Sequence, residues 1–118
     1  MAVSPLARSK EVLISEGWHY EKTESYNSFV HRRFDFGGFA DALCFKADSP
    51  YLLAINATTN SNLSGHLTKY KGIVKLIDWL KAGHKFEIWC WAVMGKQGKR
   101  KTWTLKRVPV TEEMISGS

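Results

Sequence analysis

The segment Tyr51-Leu-Leu-Ala-Ile-Asn-Ala-Thr58 decides the fold of this chain. Its first half is apolar at every position, which predicts a central strand that is buried on both faces of a sheet. A second strand is predicted at 85–94. Between these strands an apolar stripe has the spacing of one helix, at Leu67, Tyr70, Val74, Ile77 and Leu80. A strand, a helix and a strand in succession form a βαβ crossover, so we expect the two strands to be parallel.

The chain before the central strand is predicted to supply one helix and one or two strands. Ser4 and Pro5 are typical of a helix start, and Gly17 is typical of a helix end. Apolar and polar residues alternate loosely over 18–30, a pattern that allows one strand. The run Phe34-Asp-Phe-Gly-Gly-Phe-Ala-Asp41 is interpreted as a strand with a glycine bulge, which continues through 42–47.

The chain after the crossover is predicted to form a hairpin. Strands at 85–94 and 101–110 are joined by a turn rich in glycine and lysine. Together the elements predict an α/β fold in which helices flank a small mixed β-sheet. A length of 118 residues is enough for one domain, which we expect at 1–110, followed by a flexible tail at 111–118.

The composition excludes several classes of protein. A hydrophobic fraction of 44% is too high for a disordered chain, and no apolar run reaches the ~20 residues of a membrane span. The first ten residues lack the apolar core of a signal peptide, so we expect a cytoplasmic protein. Cys44 and Cys90 lie within apolar runs, which predicts that both are reduced and buried.

The net charge is concentrated near the C-terminus. The chain has 17 Lys and Arg against 11 Asp and Glu, a formal charge of +6. No acidic residue lies between Ile88 and Thr111, and the bases of this interval are Lys96, Lys99, Arg100, Lys101, Lys106 and Arg107. Because the remaining bases and acids cancel, the hairpin carries the whole excess. Such a patch suits a polyanion, although a hairpin that lysines merely keep soluble has the same composition.

Polar residues interrupt the most apolar part of the chain. Asp41 lies between Ala40 and Ala42, and Asn56 and Thr58 follow the apolar run of the central strand. A strand period of two places Asn56 and Thr58 on one face, where Asp41 can join them if the two strands pair. A buried carboxylate is costly unless it is paired or binds a cation. The sequence therefore predicts either a divalent metal site or an Asp that is bonded to backbone amides beside an ordinary strand end.

No other catalytic pattern is present. The four histidines, His19, His31, His66 and His84, have no metal-ligand spacing. The sequence contains no Ser/His/Asp or Cys/His arrangement, no phosphate-binding Walker loop and no dinucleotide-binding glycine motif.

Six short motifs carry a resemblance to a known family. They are Glu11-Val-Leu-Ile-Ser-Glu-Gly-Trp18, Glu24-Ser-Tyr-Asn27, Asp35-Phe-Gly-Gly-Phe-Ala-Asp41, Ile55-Asn-Ala-Thr-Thr-Asn-Ser-Asn62, Trp79-Leu-Lys-Ala-Gly83 and Glu87-Ile-Trp-Cys-Trp91. Over about 11–107 the chain is similar to the PD-(D/E)XK nuclease superfamily, especially its small Holliday-junction-resolvase-like members and phage or prophage proteins of that fold. The resemblance implies a restriction-endonuclease-like αβββαβ core.

The resemblance also implies roles for five residues. Asp41 matches the metal-binding aspartate, Asn56 stands in the place of the second acid, and Thr58 stands in that of the catalytic lysine. Glu11 matches a glutamate of the first helix, and Asp35 belongs to the phage-type motif without a settled role. The implied cofactor is Mg²⁺ or Mn²⁺, held by Asp41 and Asn56. Because Asn56 is neutral and Thr58 is no ammonium, both cation affinity and catalysis are expected to be weakened.

Three functions remain open from the sequence. The first is a metal-dependent DNA endonuclease, and the second is a nuclease-fold protein that binds nucleic acid and cuts poorly or not at all. Both would use Arg32 and Arg33 together with Lys96, Lys99, Arg100 and Lys101 to contact phosphates. The third is a small structural or regulatory phage protein with an aromatic interface. Trp89, Trp91 and Trp103 suit base stacking, core packing or a homodimer interface. No membrane partner is expected.

Overall fold

A computed structural model describes residues 4–23, 25–30, 32–34, 36–59, 63–94 and 102–115. The described residues form four helices and seven strands. In chain order these are α1 Pro5–Ser15, β1 His19–Lys22, β2 Ser25–Asn27, β3 Arg32–Phe34, β4 Ala42–Phe45, β5 Leu53–Thr59, α2 Leu63–Tyr70, α3 Val74–Lys81, β6 Lys85–Met94, β7 Thr102–Pro109 and α4 Glu112–Ile115.

A mixed five-stranded sheet organises the molecule. Its strand order is β1-β4-β5-β6-β7, and β2 and β3 form a separate two-stranded ribbon. β5 and β6 are parallel, whereas every other neighbouring pair of the large sheet is antiparallel. The predicted parallel crossover and mixed α/β sheet are therefore confirmed, with β5 in the central position.

The two faces of the sheet carry separate hydrophobic clusters. On one face, Leu53 and Ile55 of β5 pack in a cluster with Leu13 of α1. On the other face, Ala54 belongs to a cluster that includes Tyr70 of α2 and residues of α3 and α4. Because successive side chains of a strand point to opposite faces, β5 is buried on both sides. The fold thus has three layers: α1, the sheet, and α2 to α4.

The N-terminal half differs from the prediction in two places. The segment 18–30 contains two strands, β1 and β2, rather than one. The glycine run does not bulge within a strand: Phe36 bridges to Ala40, and the chain turns at Gly37 and Gly38. Both glycines have positive φ, +62° and +82°, which reverses the chain where a side chain would be strained. Asp41 and β4 follow directly after this turn.

The predicted single crossover helix is two helices. Gly72 has φ +79°, a conformation that ends a helix, so α2 stops at Tyr70 and α3 begins at Val74. Because of this break, α3 does not bury the predicted apolar stripe. Val74, which belongs to that stripe, is 68% exposed, and Leu76 is fully buried instead. The backbone N–H of Gly72 donates to the carbonyl oxygen of Ile115 at 3.1 Å, which satisfies a group that the break leaves without a helical partner.

The C-terminal segment also differs from the expected flexible tail at its start. α4 packs against α2 and α3, and Ile115 is fully buried. The buried side chain of Ile115 holds α4 against α2 and α3. A flexible tail was predicted here because the apolar character of Ile115 was not taken into account.

Other expectations are confirmed. Ser4 caps α1, with its Oγ accepting from the backbone N–H of Ala7 at 3.1 Å. Cys44 and Cys90 are free and buried, and burial raises the pKa of the Cys44 thiol to about 12. The predicted hairpin pairs β6 with β7, and its turn at 95–101 lies outside the described residues.

No helix in the described part of the chain is long and apolar enough to cross a membrane.

Candidate functional site

Asp41 lies one residue before β4 and beside the central strand. Its backbone N–H donates to the carbonyl oxygen of Ile55 at 2.8 Å, and its carboxylate Oδ2 accepts from the backbone N–H of Ala57 at 3.1 Å. These two contacts fall on either side of Asn56, so Asp41 lies beside Asn56 where β4 pairs with β5. Asp41 is only 9% exposed. The contact with Ala57 is the backbone-amide bond of the alternative interpretation.

Asn56 is a buried amide with an unused acceptor. It is 6% exposed, and its Oδ1 has no hydrogen-bond partner among the described residues. A buried polar atom without a partner costs about 1–3 kcal/mol, so such a group calls for a physical explanation. A ligand that binds through this oxygen is one such explanation.

Thr58 shares the face of Asn56 and contacts a histidine. In the parallel ladder Asn56 pairs with Ile88 and Thr58 with Cys90, both members of the cluster under α2 to α4. The hydroxyl Oγ1 of Thr58 lies 3.1 Å from Nε2 of His66, a hydrogen-bonding distance. His66 lies in the first turn of α2, which places its ring over the end of β5.

The environment of His66 favours the neutral imidazole. Burial lowers the pKa of His66 below its ordinary 6.5, and the positive charge of Lys69 lowers it further. Its Nδ1 is buried without a hydrogen-bond partner among the described residues. A neutral ring has one donor and one acceptor nitrogen, so it can exchange a hydrogen bond with Thr58 without adding charge beside Asn56.

His66 was not among the predicted site residues because the four histidines have no metal-ligand spacing. A different signal was available. His66 precedes Tyr70 by four residues, so on a helix it shares the apolar face of Tyr70. The two rings are 6.4 Å apart in the structure. A titratable residue on the buried face of the crossover helix is placed to reach the end of the preceding strand.

The remaining acidic candidates are not gathered at Asp41 within the described residues. Glu11 is exposed on α1, the helix that covers the opposite face of the sheet from Asn56 and Thr58. Asp35 lies outside the described residues. In the ranges that the structure describes, no three Asp, Glu, His or Cys side chains are grouped so that they could hold a metal ion.

Most of the predicted basic contacts fall on residues whose side chains are not described. Arg32 and Arg33 lie in β3, opposite Asn27 and Tyr26, and only their backbone is described. Four more lie outside the described residues, namely Lys96, Lys99, Arg100 and Lys101.

Arg107, by contrast, is described and engaged. Its guanidinium forms an ion pair with Glu16 and stacks 4.4 Å from the centre of the Trp89 ring. Part of the C-terminal charge excess is therefore used within the molecule.

The tryptophans of the hairpin have different environments. Trp89 and Trp91 are buried, at 0% and 7% exposure, and Nε1 of Trp91 donates to the buried hydroxyl of Ser9 at 2.9 Å. Core packing is therefore the role of these two residues. Trp103 is 43% exposed, and the guanidinium of Arg8 lies 4.4 Å from its ring centre.

The donor set at Asp41 and Asn56 suits one hard cation. A carboxylate and an amide carbonyl are the oxygen ligands that Mg²⁺ and Mn²⁺ accept, and Mg²⁺ keeps several waters when the protein supplies only one or two ligands. The unpartnered Oδ1 of Asn56 is the observation that fits such an ion. The set carries a single negative charge, so its cation affinity is expected to be low.

Comparison of the chain with family models, with curated proteins and with solved structures found no match in any of the three.

Proposed function

We propose that this protein binds nucleic acid on a fold of the PD-(D/E)XK nuclease type, and that Asp41 and Asn56 hold Mg²⁺ or Mn²⁺ for hydrolysis of DNA phosphodiester bonds. The observation that carries the proposal is the buried pair of Asp41 and Asn56 at the centre of the sheet, in which Oδ1 of Asn56 has no hydrogen-bond partner among the described residues.

The element order supports the nuclease-type fold. If the β2–β3 ribbon is set aside, the order is a helix, three antiparallel strands, a helical crossover and a parallel strand. This is the αβββαβ order that the resemblance implies. Asp41 lies one residue before β4, the second strand of this order, and Asn56 lies on β5, the third. The resemblance gives these places to the two metal-binding acids.

The charge distribution supports a nucleic-acid partner. The whole excess of +6 belongs to the interval 88–111. A polyphosphate backbone is attracted to such a basic interval, with release of its counterions. Arg107 is engaged with Glu16, so the proposal assigns phosphate contact to the lysines and arginine of 96–101.

The chain's own residues would act as follows. When bound, the cation supplies Lewis acidity at a phosphoryl oxygen and a more acidic water. Asp41 provides the negative charge of the site, and Asn56 provides a neutral oxygen. Thr58 and His66 can orient a water or hold a proton at Nε2 of His66, the atom that faces the Thr58 hydroxyl. No ammonium stands at Thr58, so we expect slow cleavage.

A cleavage assay with a conservative variant tests the proposal. Asp41→Asn keeps an oxygen acceptor for the N–H of Ala57 but removes the charge, so the sheet is expected to persist. Supercoiled and branched DNA are incubated with Mg²⁺ or Mn²⁺. We expect nicking by the native chain, and a loss of at least about 100-fold in Asp41→Asn, the order of effect of removing a transition-state contact.

One control variant makes the assay decisive. Glu21→Gln, an exposed carboxylate of β1, should leave cleavage unchanged. Cleavage that persists in Asp41→Asn would exclude Asp41 as the metal ligand and overturn the assigned site.

A second candidate function is nucleic-acid binding without cleavage. It is favoured by Thr58, which is bonded to His66 where the resemblance expects a lysine. In that case DNA binding remains and no divalent ion is needed. Affinity measured against salt would then fall steeply and become less salt-dependent in Lys99→Ala and Arg100→Ala, whereas DNA stays intact with either metal.

A further inference from the structure

A concave surface lies on the same face of the sheet as Asn56. It is an open groove of about 460 Å³, which we call the aromatic groove. Its lining includes four rings and two charged side chains, Phe36, Phe39, Trp79, His84, Lys75 and Asp78. Nothing in the proposed hydrolytic site uses these residues.

The rings of the aromatic groove are held in place before any ligand binds. Trp79 lies 5.4 Å from Phe36 and 4.7 Å from His84, measured between ring centres. Its indole Nε1 donates to the carbonyl oxygen of Lys85 at 2.8 Å, which fixes the ring plane. A Cβ on Gly37 would lie 2.6 Å from the Phe39 ring, so the turn is closed against that ring. A ligand therefore meets a preorganised surface.

Phe36 gives this surface an accessible aromatic part. It is 38% exposed although it packs on Trp79 and Phe39. Part of its ring is therefore available to a flat ligand, and base–aromatic stacking needs only such a face.

Polar groups at the rim can bind both a base edge and a phosphate. Lys75 and Asp78 are exposed and three residues apart on α3, so they project from one side of the helix. Nδ1 of His84 accepts from the backbone N–H of Leu52 at 3.0 Å. The ring proton of a neutral His84 is therefore on Nε2, which is a donor. The groove thus offers two donors, one of them cationic, and one anionic acceptor.

We propose that the aromatic groove binds one unpaired base of a single-stranded nucleic acid, with the adjacent phosphate at Lys75. The inference rests on the proposed nucleic-acid function and adds a substrate class, single-stranded or locally unpaired strands. Phe39, which lines the groove, precedes Asp41 by only two residues, so the groove is close in the chain to the proposed hydrolytic site. An unpaired base presents a flat apolar face and a polar edge, which match the rings and rim.

Fluorescence anisotropy with matched oligonucleotides tests this inference. One ten-nucleotide strand carries bases, and the other is fully abasic with the same number of phosphates. In Phe36→Ala we expect binding of the normal strand to weaken about 5- to 150-fold, the range for loss of one stacked base. Binding of the abasic strand should not change.

Phe45→Ala is the control. Phe45 is 46% exposed, on β4, and packs on His19 away from the groove. This variant should bind both strands as the native chain does, and circular dichroism should show that both variants are folded.

The outcomes separate the inference from the proposed function. Equal weakening for both strands, or no weakening in Phe36→Ala, overturns the groove while nucleic-acid binding stands. Binding of the normal strand that depends on Phe36, without cleavage under any metal, supports the groove and overturns only the hydrolytic function. Absence of binding to either strand at low salt overturns both.

Discussion

The two faces of the sheet treat buried polar groups differently. On the face covered by α1, Trp91 donates to Ser9, Trp89 donates to Glu87, and Arg107 pairs with Glu16. Nε of Arg8, on that face, has no partner among the described residues. On the face covered by α2 to α4, Oδ1 of Asn56 and Nδ1 of His66 are buried without a partner in the described part of the chain, and the His66 ring contacts Thr58. The face under α1 combines apolar packing with hydrogen-bonded polar side chains. The face under α2 to α4 also contains buried polar atoms that have no partner among the described residues.

This contrast separates residues that stabilise the fold from residues whose presence stability does not explain. A satisfied polar network costs little and specifies the packing. An unsatisfied buried acceptor costs stability, and a chain under selection for stability alone would replace it with an apolar side chain. The following experiments test whether the faces differ in this way.

The largest expected effect is on the packing face. Leu13 is fully buried under α1, so Leu13→Ala should lower the free energy of unfolding by about 2–5 kcal/mol, since it loses apolar contacts and leaves a cavity. Urea unfolding followed by circular dichroism measures the change. A loss below about 1 kcal/mol would mean that α1 is not a structural layer, and the contrast would fail.

Asn56→Asp should change cation binding. The variant supplies the second carboxylate that the resemblance implies, so we expect the affinity for Mn²⁺ to rise at least about tenfold, equivalent to ~1.4 kcal/mol. Isothermal titration with Mn²⁺ measures this, and the double variant with Asp41→Asn should return to the native affinity. An unchanged affinity would remove Asn56 from the cation site.

Asn56→Leu should separate stability from function. Because Leu has a similar volume and no unpaired oxygen, we expect the free energy of unfolding to stay within about 1 kcal/mol of the native value or to increase. Cation binding should be lost in the same titration. A destabilisation as large as that of Leu13→Ala would show instead that Asn56 is a structural residue.

The smallest effect is a pH dependence at His66. Its pKa is lowered in the folded state by burial and then by Lys69, so the unfolded chain binds the proton more tightly. Stability is then complete above the unfolded pKa near 6.5 and falls as the pH drops from there towards the lowered pKa. Urea unfolding from pH 7.5 to 5 should show this slope, and His66→Gln should flatten it. An identical slope in the variant would assign the effect to other groups.

Local sequence signals predicted much of the fold. The capped helix α1, the doubly buried strand β5 and the hairpin β6–β7 each follow from a cap, an apolar run or an alternation. The break between α2 and α3 was missed because the apolar period continues across it. Only the positive φ of Gly72 and the carbonyl of Ile115, which is remote in sequence, decide that the helix ends there.

The candidate site was predicted in part. Strand alternation placed Asn56 and Thr58 on one face, and pairing of β4 with β5 placed Asp41 beside Asn56. The role of His66 depends on how the crossover helix lies over β5, which a periodic pattern does not specify. Glu11 was expected to assist, but the layer in which α1 lies is a tertiary property.

By itself the sequence determined the α/β class, the parallel crossover, the charge of the hairpin and the residues that interrupt the core, because each depends on near neighbours and on the period of a strand or helix. Only the tertiary structure decided which polar atoms are left without a partner and which rings form the aromatic groove. Those properties arise where segments distant in sequence, such as the Phe36–Ala40 turn and α3, are packed together.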